Sequence, residues 1–130
     1  MCTTLTGLRV LVVEDEDDAR GLFEVALRHC GADVVSAATA QAGLDAFRTV
    51  QPDILVSDLA MPERDGYWLI AQVRSLRPRR VVPAIAVTGV SGYQAARAVS
   101  EGFHAYLTKP IDPDGLCAVV FRLASLIRPV

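Results

Sequence analysis

The sequence predicts an α/β fold, an open doubly wound parallel sheet of five strands alternating with five helices. Short runs rich in Val, Ile and Leu recur five times along the chain, and segments with helical apolar spacing separate them. Gly, Pro, Thr or Asp stands where most of those helices should start or stop. Five strands are too few for a closed eight-stranded barrel, which leaves the open sheet with right-handed crossovers.

The strand candidates are residues 9–13, 33–37, 53–57, 82–87 and 105–107. They lack a polar–apolar beat, as strands covered on both faces should. After the first, Ala19, Leu22, Phe23, Ala26, Leu27 and Cys30 fall at spacings of 3, 1, 3, 1 and 3 and draw one apolar stripe, which Gly31 ends. Asp17 is assigned to capping this helix, with Glu16 and Asp18 in solvent. Thr39 is placed to cap a second helix carrying Leu44 and Phe47, stopped before Pro52. Leu69, Val73 and Leu76 mark a third, closed by Pro78. Ser91 caps a fourth with Ala95, Ala98 and Val99, ended at Gly102. The fifth has Asp112 as cap, Pro113 at the first helical position and Asp114 in the first turn. Its stripe is Leu116, Val119, Val120, Leu123 and Ile127.

With 130 residues, the chain reads as one domain over 1–130, its core spanning about 8–127, with no linker, repeat or second domain. A hydrophobic content of 52% with 22% charged residues is globular composition. The net charge of −2 argues against direct nucleic-acid binding, and the basic cluster Arg74, Arg77, Arg79 and Arg80 reads as a solvated loop. Cys2, Cys30 and Cys117 are odd in number and widely spaced, which fits reduced thiols rather than a metal site. No apolar run approaches the ~18 residues of a membrane span, and the N-terminus lacks a signal-peptide core. The expectation is a cytoplasmic protein with no membrane insertion.

Residues 12–19, VVEDEDDA, crowd five consecutive carboxylates behind an apolar run. Such charges repel and raise one another's pKa unless something positive sits among them. In an open parallel sheet, ligands bind beyond the carboxyl ends of the strands, where the winding reverses. Glu14 and Asp15 follow the first strand, Asp58 the third and Thr88 the fourth, and Lys109 stands two residues past the fifth. Clustered carboxylates make a hard-oxygen site suited to Mg²⁺, with Mn²⁺ as substitute. A cation beside a lysine and a hydroxyl suits phosphoryl transfer, which is mostly positioning and charge neutralisation. With no Ser, Cys or His nucleophile on that rim, the reacting group is an aspartate that would form an acyl phosphate.

The segments VVEDE, VSDLAMPERDGY, AVTG and AYLTKPIDPDGL, in this order and spacing, resemble the response-regulator receiver domain, the CheY-like phosphoacceptor module of two-component signalling. The resemblance spans essentially the whole chain and implies the strand order 2-1-3-4-5. It implies that Asp58 takes a phosphoryl group from a histidine on a sensor kinase or histidine phosphotransfer protein, or from a small acyl phosphate. Glu14, Asp15, Asp58 and the backbone carbonyl of Ala60 would hold Mg²⁺. Lys109 would pair with the phosphoryl oxygens, and the peptide bond before Pro110 would be cis. Thr88 would move toward the phosphoryl group and Tyr106 would swing inward behind it. The fourth helix, fifth strand and fifth helix would then signal to a downstream protein partner, the domain itself being a monomer or weak dimer and not an enzyme in the usual sense.

Glu14 stands where the family more often has aspartate, so it is expected to serve through water. Arg64 replaces a frequent apolar residue, which should expose its loop, and Gly89 replaces a common alanine, freeing the backbone after Thr88. Ala60 and Val90 are small and apolar, a poor arrangement for orienting water, which implies slow self-dephosphorylation. Tyr67 and Trp68 read as core and rim packing, and His29 and His104 are given no role. The domain could stand alone or form the C-terminal receiver of a hybrid histidine kinase, which GFHAYLTKPIDPDGL resembles. Two other classes stay open. One is an unphosphorylated pseudo-receiver that acts as a protein-interaction module. The other is an aspartate-nucleophile phosphohydrolase, for which EDEDD lacks the expected hydroxyl.

Overall fold

A computed structural model of the chain describes residues 4–76, 81–89 and 92–126, the side chains of 92–95 excepted. Its five strands are β1 (Arg9–Val13), β2 (Asp33–Ala37), β3 (Ile54–Asp58), β4 (Ala84–Thr88) and β5 (Ala105–Thr108). They pair in parallel in the order β2-β1-β3-β4-β5. The helices between and after them are α1 (Asp17–His29), α2 (Ala40–Val50), α3 (Gly66–Ser75), α4 (Gly92–Glu101) and α5 (Pro113–Ala124). This is the doubly wound order expected from the sequence, with the winding reversing between β1 and β3.

Alternate residues of each central strand serve different cores. Val10, Val12, Ile54, Val56, Ile85 and Val87 pack with Phe23 and Leu27 of α1 and with Leu116 and Val120 of α5. Leu11, Val13, Leu55, Ala84 and Ala86 turn the other way, onto Leu44 and Phe47 of α2, Leu69 and Ile70 of α3 and Ala98 of α4. Both faces are covered, so nearly every position must be apolar. Each fully buried Leu, Ile or Phe contributes about 1.5–3 kcal/mol relative to exposure. The edge strand β5 departs from the expected double cover: Ala105 and Leu107 face the core, whereas Tyr106 and Thr108 are exposed.

Three strands depart from the predicted bounds, β5 only by running one residue further, to Thr108. Asp53 precedes β3 as a bracket, its N–H donating to Arg9 O at 2.8 Å and its Oδ2 accepting from Arg9 N at 2.9 Å. Pro83 has no N–H for the ladder, so β4 starts at Ala84, although Pro83 O still accepts from Leu55 N at 3.0 Å. Thr39 and Asp112 cap α2 and α5 through their side chains, as predicted. At α1 the prediction fails. The cap position is Glu16, without a side-chain cap bond, and Asp17 is the first helical residue. The stripes also narrow, since α1 and α4 meet the sheet on one side only: Leu22 is 43% and Val99 56% exposed. Gly31 and Gly102 end their helices at φ +96° and +123°, backbone that favours glycine. Cys2, Arg77, Pro78, Arg79, Arg80, Val90, Ser91 and Ile127 lie outside the described residues.

Arg74 does not belong to a solvated loop. Its guanidinium donates to Val82 O at 2.7 Å and twice to Gly102 O, at 3.2 and 2.8 Å. The end of α3 is thereby tied to the start of β4 and to the turn after α4. His104 completes the clamp: its Nδ1 accepts from Ala84 N at 3.2 Å and lies 3.3 Å from Arg74 Nη2. Both neighbours are donors, so this nitrogen carries no proton. Burial, then the Arg74 charge, hold the His104 pKa below its usual range.

Gly66 sits where α3 starts against the end of β3. Its N–H donates to Leu59 O at 3.0 Å, and a Cβ there would strike the Asp58 carbonyl and lie 2.9 Å from Leu59 Cα. Gly66→Ala should therefore cost about 1–3 kcal/mol, read as a lower urea midpoint with unchanged slope. For His104 the depressed folded-state pKa means the unfolded chain binds the extra proton. Its stabilising contribution is then full above about pH 6.5 and is lost as pH falls below that value. Urea midpoints measured between pH 7.5 and 5 should fall less steeply for His104→Gln than for wild type; equal slopes would refute the neutral clamp.

Candidate functional site

The sheet register assembles the site. Val13 pairs with Ser57, Asp58 with Val87, Val87 with Leu107 and Thr88 with Thr108. One step past these pairs stand Glu14 and Lys109, so residues distant in sequence reach one rim. Glu14 is fully buried and Asp58 and Thr88 nearly so, at 3% and 4% exposure. Glu14 N donates to Ala37 O at 3.0 Å, and Lys109 N to Thr88 O at 2.8 Å, fixing the loops as the strands end.

Lys109 Nζ stands between two carboxylates. It donates to Asp58 Oδ2 at 2.8 Å and lies 2.9 Å from Glu14 Oε1. The second contact is an ion pair by distance but not a hydrogen bond by direction, leaving Glu14 Oε1 buried without a hydrogen-bond partner among the described residues. Asp58 Oδ1 accepts from Ala60 N at 3.0 Å, and Glu14 Oε2 from Glu16 N at 3.2 Å. Burial above all, then the Asp58 carboxylate, push the Glu14 pKa up to about 7 against the opposing Lys109. For Lys109 burial works against the charge, but Asp58 and Glu14 outweigh it and hold the ammonium above its usual range.

Glu14, Asp15 and Asp58 each offer an oxygen, all within 4.8 Å of one another. All-oxygen donors of that charge, one of them a buried oxygen without a hydrogen-bond partner, fit Mg²⁺. Two clefts flank the cluster. One of about 510 Å³ opens beside Lys109 and is lined by Asp18, Ala19, Leu22, Pro110 and Ile111. The other, about 540 Å³, lies between the loops after β3 and β4, among Met61, Asp65, Tyr67, Thr88 and Arg97. Arg97 stacks over the Tyr67 ring at 3.8 Å, and Arg64, exposed as expected, over Trp68 at 4.4 Å. The Lys109–Pro110 bond is cis, and Tyr106 stands outward, 45% exposed.

The structure thus brings Glu14, Asp15, Asp58 and Lys109 together, with Thr88 at the adjoining strand end; Tyr106 stays apart. Sequence reasoning missed two supports. Gly66 lets α3 close on the Asp58 backbone. Arg20, whose Nη1 donates to Glu14 O at 3.1 Å, grips the acidic loop from behind. Its signal was being the first cation after five acids.

Among the described residues, no helix is long and apolar enough to cross a membrane. The sequence matches the response regulator receiver domain over residues 10–121. It is 42% identical over 127 residues to an uncharacterized 14.6 kDa protein from the sodA1 3′ region of Leptolyngbya boryana, covering 97% of each chain. It is 36% identical over 115 residues to the DNA-binding transcriptional regulator NtrC of Klebsiella pneumoniae, covering 88% of this chain but only 24% of that protein. The fold matches the receiver domain of the Francisella response regulator 1452 with a TM-score of 0.86 at 25% identity, over 94% of this chain and 100% of that one. On these grounds the chain belongs to the response regulator receiver domain family of two-component signalling, whose general features are an aspartate phosphorylation site and Mg²⁺ bound at an acidic pocket.

Proposed function

We propose that residues 1–130 act as a single receiver domain that accepts a phosphoryl group on Asp58 from a histidine kinase or histidine phosphotransfer protein, and then controls a partner protein. The observation that carries this reading is Lys109 Nζ at 2.8 Å from Asp58 Oδ2, beside three acids whose oxygens converge within 4.8 Å. An Asp58 carboxylate oxygen attacks the phosphorus of the donor's phosphohistidine. A P–O bond forms as the P–N bond breaks, the electron pair returns to the imidazole, and an acyl phosphate remains. Mg²⁺, held by Glu14, Asp15, Asp58 and the Ala60 carbonyl, would offset the charge on the phosphoryl oxygens.

Before transfer, Lys109 neutralises Asp58; afterwards the same ammonium can serve the phosphoryl oxygens, so its charge is already in place. The Ala60 N–H that holds Asp58 Oδ1 orients the carboxylate. Thr88, at the end of β4, supplies the hydroxyl that would follow the phosphoryl group, and Tyr106 the ring that would move inward from its exposed position. Phosphorylation would bias α4, β5 and α5 between two arrangements. The small Ala60 side chain leaves the site without a group there to orient water, in keeping with slow self-dephosphorylation. Working beside a kinase would put this action in the cytoplasm.

Intact-mass analysis with acetyl phosphate should show a Mg²⁺-dependent gain of one phosphoryl group in wild type and none in Asp58→Asn. A folded wild type that binds no Mg²⁺ and gains nothing would favour a pseudo-receiver instead. Lys109→Met should separate two effects. Losing a positive charge beside the acids should tighten Mg²⁺ binding in calorimetry. Phosphorylation should meanwhile slow by roughly 10²-fold or more in a mass time course, because the charge that meets the phosphoryl oxygens is gone.

A further inference from the structure

The loop that carries two of the three acids lacks the usual helix anchor. Glu16 occupies the cap position of α1 without a side-chain cap bond, and the following acids Asp17 and Asp18 add charge beside Glu14 and Asp15. Arg20 instead holds the loop from behind. Its Nη1 donates to the Glu14 carbonyl at 3.1 Å and its Nη2 to Asp17 Oδ1 at 2.6 Å. Its Nε lies 4.0 Å from Glu24 Oε1, an atom that accepts from Ser36 Oγ on β2 at 2.6 Å. Glu24 also takes Arg28 Nη1 at 3.3 Å. The Arg20 side chain is only 21% exposed, with its planar fork shared between a backbone oxygen and two carboxylates. Lysine, a point charge on a flexible stem, cannot reproduce that division.

We propose that Arg20 is a positioning residue for the cation site: its bond to the Glu14 carbonyl fixes the 14–16 loop and so sets Mg²⁺ affinity. The inference rests on the reading of Glu14, Asp15 and Asp58 as the cation's ligands. Arg20 engages the backbone of Glu14 rather than its carboxylate, so it steadies the loop without competing with a metal for oxygens. Outer partners that orient metal ligands typically change affinity by 10–100-fold when lost.

Two physical effects of removing Arg20 oppose each other, which makes the idea testable. Simple electrostatics predicts that deleting a positive charge near a cation site tightens Mg²⁺. Loss of positioning predicts weaker binding. Calorimetric titration with MgCl₂ should show Arg20→Gln weakening the affinity roughly tenfold, and Arg20→Lys, which keeps the charge without the fork, lying between the two. Melting temperatures should stay within a few degrees of wild type, and amide exchange at residues 15 and 16 should quicken in Arg20→Gln before any metal is added. Should Arg20→Gln not fold, Arg20→Lys carries the same comparison. An Arg20→Gln that binds Mg²⁺ as tightly as wild type, or more tightly, overturns the positioning role and leaves the receiver reading standing. A wild type that binds no Mg²⁺ overturns the ligand assignment, and this inference with it.

Discussion

One ammonium between two buried carboxylates is the contact on which the rest of the molecule turns. Glu14 and Asp58 end neighbouring strands at the point where the winding reverses, and almost none of their surface meets water. Burying an uncompensated carboxylate is prohibitive, and two together are worse. Lys109 makes the arrangement tolerable, at 2.9 and 2.8 Å from the pair, and it arrives from the far edge of the sheet. Every strand between them must therefore keep its register, which the two cores on either face secure.

That compensation is incomplete, and its incompleteness is chemically useful. Burial above all, then the Asp58 carboxylate, push the Glu14 pKa up to about 7 against Lys109, so one lysine does not fully offset the cost of keeping the buried pair charged. A divalent cation would relieve that imbalance, and would be needed all the more once a negatively charged phosphoryl group arrived.

Much of this was legible in the residues. The bounds of β1 and β2, the caps Thr39 and Asp112, and the converging acids and lysine rest on local rules: apolar runs, cap chemistry and the residue types at each strand's carboxyl end. The misses share a different cause. Arg74 looks like one more member of a basic cluster, yet it donates to carbonyls 8 and 28 residues away. His104 has no partner nearby in the chain but meets Ala84 and Arg74 across the fold. A side chain bonded to a distant backbone oxygen leaves no periodicity and no motif. At α1 the cap was expected at Asp17, whereas Glu16 stands at that position and makes no side-chain cap bond, so cap chemistry gave no signal for it.

The Arg74 clamp also bears on how α4 would move. The helix's C-terminal turn is fastened at Gly102 O by two bonds, and Phe103 just beyond is 3% exposed. Its N-terminal end comes directly after the strand that finishes in Thr88. Held at one end, a helix tilts more readily than it slides. Ten residues of helix span about 15 Å, so a tilt of roughly 10° about the Gly102 end would carry the opposite end about 3 Å. The displacement would be greatest at the Gly92 end and smallest at the clamp, so a force applied at that end would appear as a change of angle along the helix.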